Sequence, residues 1–464
     1  MELKFKQLLI FIFFSLIIIF IYGCGSLKTN KDFYLNIDQK AELLDFNGAA
    51  NLLEYDKDDN YGDKDDVLYC LDMGMLYHYA GEYEKSNEML TKAENDIEDL
   101  YTKSITKAVG SILLNDNALD YFGEDYENIY LNVFKSLNYL HLGNFEDAFV
   151  EIRRVNEKLS KLEVKYKNLA DEYNKSKKKK VDFKIGKSNF HDSALARLLS
   201  LLFYRSEGRI DDARIDLEKV KEAWETEANV YNNQSLPLNN YLDNTFKAKI
   251  DFISFIGRSP EKYTKKIIVH SETNLILLYL SDGKDERKLD AIAWPGITKG
   301  LHLKFAMPYI EKRGSEVARV EVIIKNNART NLYQFESIEN VAVETFKIKE
   351  PIILIKAITR TVIKALLNEA INKELDKKTG GGIFGSLTRA ITGAAFDATE
   401  NADLRISHYF PSMIYTGELE VNPGKYDIKI RYFSNDNRLI MEEDFGEKYI
   451  GRGKLNLLES CCLQ

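Results

Sequence analysis

Apolar residues in the first half of the chain recur at helical spacing. Within Leu68–Glu94, Tyr130–Val155 and Leu195–Val220 they fall at positions i, i+3, i+4 and i+7, so they form one stripe along a helix. Each stretch is interrupted by a glycine, a residue that often ends a helix: Gly81, Gly143 and Gly208. We therefore predict three pairs of helices, each joined at its glycine. One pair cannot bury its apolar stripe alone, so the pairs should stack on one another.

The same stretches have the layout of tetratricopeptide (TPR) repeats. In the first stretch, Tyr77, Tyr83 and Ala93 stand where a TPR unit places its aromatic and small residues. The turn glycines are 62 and 65 residues apart, which is close to twice the TPR period of about 34 residues. Degenerate helix pairs are therefore expected in the gaps. The sequence predicts an all-α, TPR-like solenoid over residues 24–262.

From residue 263 onward the pattern changes to that of strands. Short runs rich in β-branched and aromatic residues are separated by glycines, which is typical of antiparallel strands. Ile338–Leu375 returns to helical spacing, and Asn422-Pro423-Gly424 between two alternating runs predicts a β-hairpin. The predicted fold class is therefore α+β, with a C-terminal antiparallel β-sheet unit over residues 263–464 that carries a helical insertion. Either one sheet is split by that insertion, or two small sheets are joined by helices.

The N-terminus has the features of a secretory signal. Lys4 and Lys6 precede an apolar run, Leu8–Ile21, of about 14 residues, which is shorter than the ~20 residues that a membrane-spanning helix needs. A glycine then stands directly before Cys24. This arrangement resembles the lipobox of bacterial lipoproteins, which implies removal of a signal peptide, residues 1–23, and acylation of Cys24 by fatty acids such as palmitate. The alternative is an uncleaved segment that stays in the membrane.

Charge and cysteine content argue against several functions. The 464-residue chain has 64 Lys and Arg against 72 Asp and Glu, a formal net charge of −8, which argues against a nucleic-acid-binding protein. The three cysteines other than Cys24 are too few for a disulfide framework, and the six histidines do not lie at zinc-ligand spacing. No metal and no small-molecule cofactor are therefore expected.

Two further features of the C-terminal half could carry chemistry. Gly380, Gly382 and Gly385 satisfy the pattern G-x-G-x-x-G, but a charged helix rather than a strand precedes them, so a nucleotide site is not expected. A basic stripe on one helix face is expected to be solvated, with binding of phosphate-bearing lipid or wall polymer as the alternative. This stripe consists of Lys356, Arg360 and Lys364.

Three short motifs are the most distinctive in the mature chain: Glu151–Asn156, Gly257–Pro260 and Ala402–Arg405. Together with the lipobox and the TPR-like stretches, they resemble a family of uncharacterised bacterial TPR-bearing envelope lipoproteins. The resemblance implies a lipid-anchored protein of the cell envelope, facing the periplasm or the exterior, and a scaffold near cell-wall or outer-layer assembly machinery. It supplies no catalytic residue.

In TPR units, fixed positions on the first helix of each pair line a concave groove. Most of these positions are apolar here, and a large apolar patch is rarely left bare on a soluble surface. We therefore expect the groove to be covered, either by the chain's own segment 230–256, interpreted as an amphipathic helix, or by a helix of an envelope partner protein. The candidate groove-lining residues are Met75, His78, Tyr79, Leu137, His141, Leu202 and Arg205.

These expectations describe a membrane-tethered interaction scaffold rather than an enzyme. The alternative is an envelope enzyme that acts on wall glycan or peptide through its C-terminal domain. One observation separates the two hypotheses. A catalytic cleft in that domain should hold convergent polar groups, whereas a scaffold can be lined by packing residues alone.

Overall fold

The computed structural model describes residues 31–106, 114–175, 180–231, 238, 241–243, 245–282, 285–324, 328–379 and 401–464. The predicted lipid attachment site, Cys24, lies outside these residues, as does the glycine-rich stretch 380–385. Among the helices that the structure describes, none is long and apolar enough to cross a membrane.

Helices fill the N-terminal half. They are α1 (Lys31–Glu42), α2 (Phe46–Tyr55), α3 (Lys57–Asn60), α4 (Asp66–Tyr79), α5 (Tyr83–Thr106), α6 (Asp125–His141), α7 (Phe145–Asn174), α8 (Ala194–Ser206), α9 (Ile210–Thr226) and α10 (Ala228–Tyr231). Three pairs pack as helical hairpins, namely α4 with α5, α6 with α7, and α8 with α9. The pairs contact one another through α5 and α6 and through α7 and α8, so the apolar stripes are buried between neighbouring pairs.

The three turn glycines that the sequence predicts at the helix ends adopt the left-handed conformation. Gly81, Gly143 and Gly208 have φ angles of +77°, +74° and +75°, which disfavour any residue with a Cβ atom. A Cβ atom built at any of them would have no neighbouring atom within 4 Å. The constraint at these positions is therefore conformational rather than steric.

Strands follow in the C-terminal half. They are β1 (Ala248–Ile256), β2 (Glu261–Glu272), β3 (Leu275–Ser281), β4 (Glu286–Ala293), β5 (His302–Glu311), β6 (Arg319–Ile324), β7 (Ala328–Ser337), β8 (Met413–Val421), β9 (Gly424–Phe433), β10 (Leu439–Ile450) and β11 (Leu457–Cys462). One long helix, α11 (Ile338–Thr379), separates β7 from β8. A seven-stranded sheet has the order β10-β9-β6-β7-β8-β1-β11, and a four-stranded sheet has the order β4-β3-β2-β5.

The α+β class is confirmed, because helices dominate the first half and two sheets dominate the second. The TPR identity of the helix pairs stays a prediction. Of the two arrangements left open by the sequence, the first is found, because α11 splits the seven-stranded sheet; a second, smaller sheet is also present, but no described helix joins it to the first. The seven-stranded sheet is mixed, since β11 runs parallel to β1 while its other pairs are antiparallel.

The amphipathic helix predicted within segment 230–256 is wrong. Residues 248–256 form β1, which lies between β8 and β11 in the larger sheet. Ile250 and Phe252 pack into the core on one face of this sheet, whereas Ile253 and Phe255 pack into the core shared with the helices. A strand buried on both faces has no alternation of apolar and polar residues, and its apolar run can be mistaken for a helix. The expected domain boundary after residue 262 falls inside β2, and β1 precedes it.

The hairpin predicted at Asn422-Pro423-Gly424 is also wrong. The chain does turn there between β8 and β9, but β8 pairs with β7 and β1 while β9 pairs with β6 and β10. Turn residues set a local chain reversal, whereas strand partners are selected by long-range packing of the buried faces.

Substitution of Gly143 tests the conformational constraint at the helix turns. Because φ is +74° and space is available, Gly143→Ala should lower the free energy of unfolding by about 1 kcal/mol. Gly143→Asn should cost less, since Asn tolerates this conformation. Gly424→Ala, at a glycine without a positive φ and with only ordinary contacts, is the control. Equal effects of Gly143→Ala and Gly143→Asn in denaturant titrations would contradict this explanation.

Candidate binding cleft between the helix turns and the sheet edge

The seven candidate groove-lining residues do not form an open groove. Met75, Leu137 and Leu202 are completely buried in the core. The other four contact the C-terminal half of the chain directly. Tyr79, for example, donates a hydrogen bond to the carbonyl of Tyr409 at 3.2 Å.

Arg205 at the end of α8 connects the helices to two central strands. Its guanidinium lies 2.6 Å from the carboxylate of Asp251 on β1 and also pairs with Glu418 on β8. A third bond goes to the carbonyl of Tyr241 at 2.9 Å. Since all three partners belong to the same chain, Arg205 links α8 to the larger sheet and is not a free cation that could bind a ligand.

An extended segment before β8 lies against the helices. We call residues 401–412 the inserted segment; it contains neither helix nor strand. The Asn117 side-chain amide donates to the carbonyl of Ala402 at 3.1 Å, and the buried Lys262 donates to the carbonyl of Arg405 at 2.9 Å. Ser407, Tyr409 and Phe410 are completely buried. The chain therefore supplies its own extended polypeptide to the helical layer.

Arg405 holds the start of the inserted segment. Its guanidinium pairs with Asp403 at 2.8 Å and with Asp65 at 3.0 Å. It also donates to the carbonyls of Asp116 and Leu119 at 3.1 and 3.0 Å. Asp65 lies directly before α4, and Asp116 and Leu119 lie before α6. One side chain therefore ties the inserted segment to two helix pairs.

Asp72 on α4 holds the middle of the inserted segment. One carboxylate oxygen accepts bonds from the Ser407 hydroxyl and the His408 backbone N–H, both at 2.7 Å. The other accepts bonds from the Tyr34 and Tyr61 hydroxyls at 3.0 and 2.9 Å. Burial raises the pKa of Asp72 above its ordinary value, although His408 and the hydrogen bonds oppose that shift. A fully buried carboxyl group thus gains four donors from three parts of the chain.

Two further carboxylates at the start of α6 complete this contact. Glu124 pairs with two buried amines, those of Lys349 at 2.6 Å and Lys262. Glu127 accepts bonds from the backbone N–H groups of Glu124 and Ser407 at 2.7 and 2.6 Å. Burial and the neighbouring Glu124 raise the pKa of Glu127 to about 7. The network links α6, α11, β2 and the inserted segment.

The three distinctive sequence motifs all lie in such internal contacts. Glu151 accepts a bond from Asn132 at 2.6 Å and pairs with the buried Lys135 at 3.2 Å. Arg258 pairs with Asp38 on α1, and Ala402–Arg405 begins the inserted segment. Each motif therefore contains at least one residue with a structural partner elsewhere in the chain.

Two of the predicted solvated cations are also buried. Lys356 lies 2.6 Å from Asp116, and Arg360 donates to the carbonyl of Leu114 at 3.0 Å. Both side chains are less than a tenth exposed. The expectation of a solvated face is wrong for these two residues, because α11 packs against the helical layer on that side.

A cleft of about 560 Å³ opens where the first turns of the helical layer meet the edge of the larger sheet. Helix residues His78, Tyr79 and His141 line one wall. Helical periodicity predicts these three on a groove face, but the opposite wall comes from β1, β10 and β11. Its remaining lining is Leu44, Phe46, Ala80, Gly81, Tyr83, Phe255, Glu443, Phe445, Lys448, Leu457, Leu458, Glu459, Ser460 and Cys461.

Hydrogen bonding assigns the proton positions on His78. The Asn138 amide nitrogen donates to Ser86 and Asn87, so its oxygen faces His78 Nδ1 at 2.7 Å and accepts a proton from it. His78 Nε2 lies 3.3 Å from the Glu459 carboxylate.

His141 pairs with the other oxygen of Glu459. Its Nε2 lies 2.8 Å from Oε1, and its ring stacks on Tyr83 with centroids 4.2 Å apart. Burial opposes ionisation of Glu459, but the charges and hydrogen bonds of His141 and His78 outweigh burial and lower the pKa of Glu459 to about 2. Burial likewise opposes protonation of His141, but Glu459 raises the His141 pKa above its ordinary value. The carboxylate is therefore held between two imidazole rings.

Glu443 on β10 is the second carboxyl group of the cleft. It accepts a hydrogen bond from the backbone N–H of Cys461, while its Oε2 atom is buried and has no hydrogen-bond partner. Burial raises the pKa of Glu443 to about 7, and the Cys461 bond opposes this shift only in part. At neutral pH this group can accept or release a proton.

The cleft offers no activated nucleophile among its described residues. The thiol of Cys461 is buried, and burial followed by the nearby Glu443 raises its pKa well above the ordinary value. Cys461 and Cys462 are both free thiols. No group of three or more candidate metal ligands occurs in the part of the chain that the structure describes.

Sequence reasoning found half of this cleft and missed the other half. His78, Tyr79 and His141 follow from helical periodicity, whereas Glu443, Glu459 and Cys461 lie on strands more than 300 residues away along the chain. A sequence pattern carries no signal for such pairing. The one available hint is the two-residue period of side chains along a strand, which places Glu459 on the same face as Leu457 and Cys461.

Replacement of Asp72 tests the attachment of the inserted segment. Asp72→Asn keeps the shape but replaces one acceptor oxygen by a donor, so two of the four donors lose their acceptor. We expect a loss of about 3 kcal/mol in the free energy of unfolding. Asp66→Asn, on an exposed position of the same helix, should change stability by less than about 0.5 kcal/mol. Comparable losses of stability in both variants would contradict the role of the Asp72 hydrogen bonds in holding the inserted segment.

The His141–Glu459 pair predicts a pH-dependent stability. A raised folded-state pKa means that the contribution of His141 is complete below its unfolded pKa of about 6.5 and is lost as pH rises through the folded value. The stability difference between wild type and His141→Asn should therefore be larger at pH 5.5 than at pH 8.5, by up to about 1 kcal/mol. Glu459 stays ionised over this range. His191→Asn on the surface is the control, and a difference that grows with pH would contradict the assignment.

No protein-family model, no curated protein and no solved structure matches this chain.

Proposed function

We propose that this chain is a lipid-anchored cell-envelope protein that acts as a non-catalytic interaction scaffold, and that it recognises its partner through the cleft. The anchor rests on the lipobox-like sequence at Cys24. One structural observation carries the choice of surface. The helical face that would serve as a TPR groove is occupied by the chain's own inserted segment and strands, whereas the cleft beside it remains open.

The cleft suits recognition better than chemistry. Polar groups make up more than half of its exposed lining and stand beside apolar side chains such as Leu44, Phe46 and Leu457, so the cleft can contact both kinds of side chain on a partner. Glu459 is held as a carboxylate by two imidazoles, so it is poorly suited to transfer protons near pH 7. The proposed scaffold therefore has a helical layer that the chain itself covers and a cleft with a polar lining that remains open.

The anchor is tested by replacing the acylated residue. Cys24→Ala should abolish incorporation of radiolabelled palmitate in cells and leave an uncleaved precursor. Cys70→Ala is the matched control, because Cys70 is a buried free thiol of the helical core and should not affect labelling. Labelling that persists in Cys24→Ala would exclude acylation at this residue.

Partner recognition is tested by photocrosslinking in intact cells. A photoreactive phenylalanine analogue at Lys448, on the exposed rim of the cleft, should give a discrete adduct with another envelope protein. The same analogue at Leu289, exposed on β4 of the smaller sheet, should not give that adduct. Absence of adducts at Lys448, or the same adduct at both positions, would contradict a role of the cleft in binding.

An envelope enzyme acting on wall glycan or peptide is the second candidate. It is favoured by the convergence of His141, Glu459 and Glu443 in one cleft and by the pKa of about 7 for Glu443, which suits a general acid or base. Incubation of purified cell wall with the wild-type protein and with Glu443→Gln distinguishes the candidates. Release of soluble fragments by the wild type alone would favour the enzyme.

A further inference from the structure

The cleft is bordered by β11, an edge strand of the larger sheet, whose residues 457–459 are partly exposed and whose residues 460–462 are buried. β11 pairs with β1 on one side, and no described strand pairs with its other side. The Asp251 N–H donates to the Asn456 carbonyl at 2.9 Å, and the Gly257 N–H donates to the Cys462 carbonyl at 2.8 Å. The even-numbered residues of β11 therefore face β1.

The backbone groups of alternate residues of β11 point away from β1. Backbone groups of successive strand residues point to opposite sides, so the N–H and C=O groups of Leu457, Glu459 and Cys461 point away from β1. The hydrogen bond from the Cys461 N–H to the Glu443 side chain agrees with this direction. An edge strand with such a free row is a template for another extended chain.

β10 borders the same cleft. It pairs with β9 and ends the sheet on the other side, and its residues Glu443, Phe445 and Lys448 belong to the lining. Between Asp444 and Glu447 a register shift interrupts its pairing with β9. Two sheet edges thus border one opening, and the Glu443 carboxylate bridges them.

We propose that the cleft binds an extended peptide segment of the partner by addition of a strand to β11, and that a lysine or arginine of this segment pairs with Glu443. The proposal rests on the proposed function and names the chemistry of its partner. An added strand needs the Cys461 N–H for its own backbone pairing, which displaces Glu443 from that donor.

Charge complementarity selects a basic residue for this segment. Glu459 is already paired with His78 and His141, whereas Glu443 has one oxygen without any hydrogen-bond partner. Once Cys461 is engaged, both oxygens of Glu443 lack donors, and an ammonium or guanidinium group supplies them. Leu44, Phe46 and Leu457 offer apolar contacts for neighbouring side chains of the peptide.

Selection from a phage library of random heptapeptides on the purified full-length protein tests the proposal. The enriched peptides should share a Lys or Arg at one position. The affinity of a fluorescein-labelled synthetic copy, measured by anisotropy, should fall at least tenfold with Glu443→Gln, which keeps an acceptor for the Cys461 N–H but removes the charge. Glu447→Gln, an exposed neighbour on β10 that pairs with Lys425, is the matched control and should leave binding unchanged.

Two further peptides separate strand addition from other modes of binding. Replacing the basic residue by norleucine should make the peptide insensitive to Glu443→Gln. Methylation of backbone nitrogens at every second residue should abolish binding in one register and spare it in the other, because only alternate N–H groups face β11. Unfolding curves of the variants establish that each is folded.

The proposal is overturned if no peptide is enriched, if the enriched peptides lack a basic residue, if both methylated registers bind equally, or if Glu447→Gln acts like Glu443→Gln. In any of these cases an adduct from Lys448 in cells would still support the scaffold function through another kind of ligand. If the analogue at Lys448 gives no adduct and the selection also fails, both the binding role of the cleft and the addition of a strand to β11 are excluded.

Discussion

The buried carboxylate of Asp72 is the interaction on which the joining of the two halves depends. It stands on α4, yet its donors come from α1, from the residue after α3 and from the inserted segment. A buried acceptor with four donors is stable only when every donor is in place, so the network specifies one arrangement of these parts. Arg405 and Glu127 also make several hydrogen bonds each, and they too join the inserted segment to the helical layer. These polar contacts add a specific arrangement to the apolar core that the helices share with the sheets.

The sequence predicts local structure well wherever short-range patterns decide it. The helix turns at Gly81, Gly143 and Gly208 follow from a positive φ that glycine adopts most readily, and α11 follows from its periodicity. The α+β class follows from the change of pattern near residue 263. In each of these places, neighbours along the chain determine the conformation.

Prediction from the sequence fails where contacts between distant parts of the chain determine the structure. β1 has apolar residues on both faces because cores lie on both sides of it, which no single sequence can reveal. The turn at Asn422–Gly424 joins strands that pair elsewhere, and Glu459 meets His141 across 318 residues. Half of the cleft was therefore accessible from helical periodicity, and the strand half required the pairing of β11 with β1.

The position of β1 has a consequence for the order in which the molecule can assemble. Its neighbour β11 lies about two hundred residues later, as the contact between Ser254 and Ser460 over 206 residues shows. The inserted segment that covers the helices also comes late. During synthesis the helical layer must wait with its apolar face uncovered until the last strand emerges, and closing so long a loop is slow. A chain that ends before β11 would leave β1 as an exposed edge, and a chain that ends before residue 401 would also lack the segment that covers the helices, so chaperones or proteases would recognise incomplete copies by these surfaces.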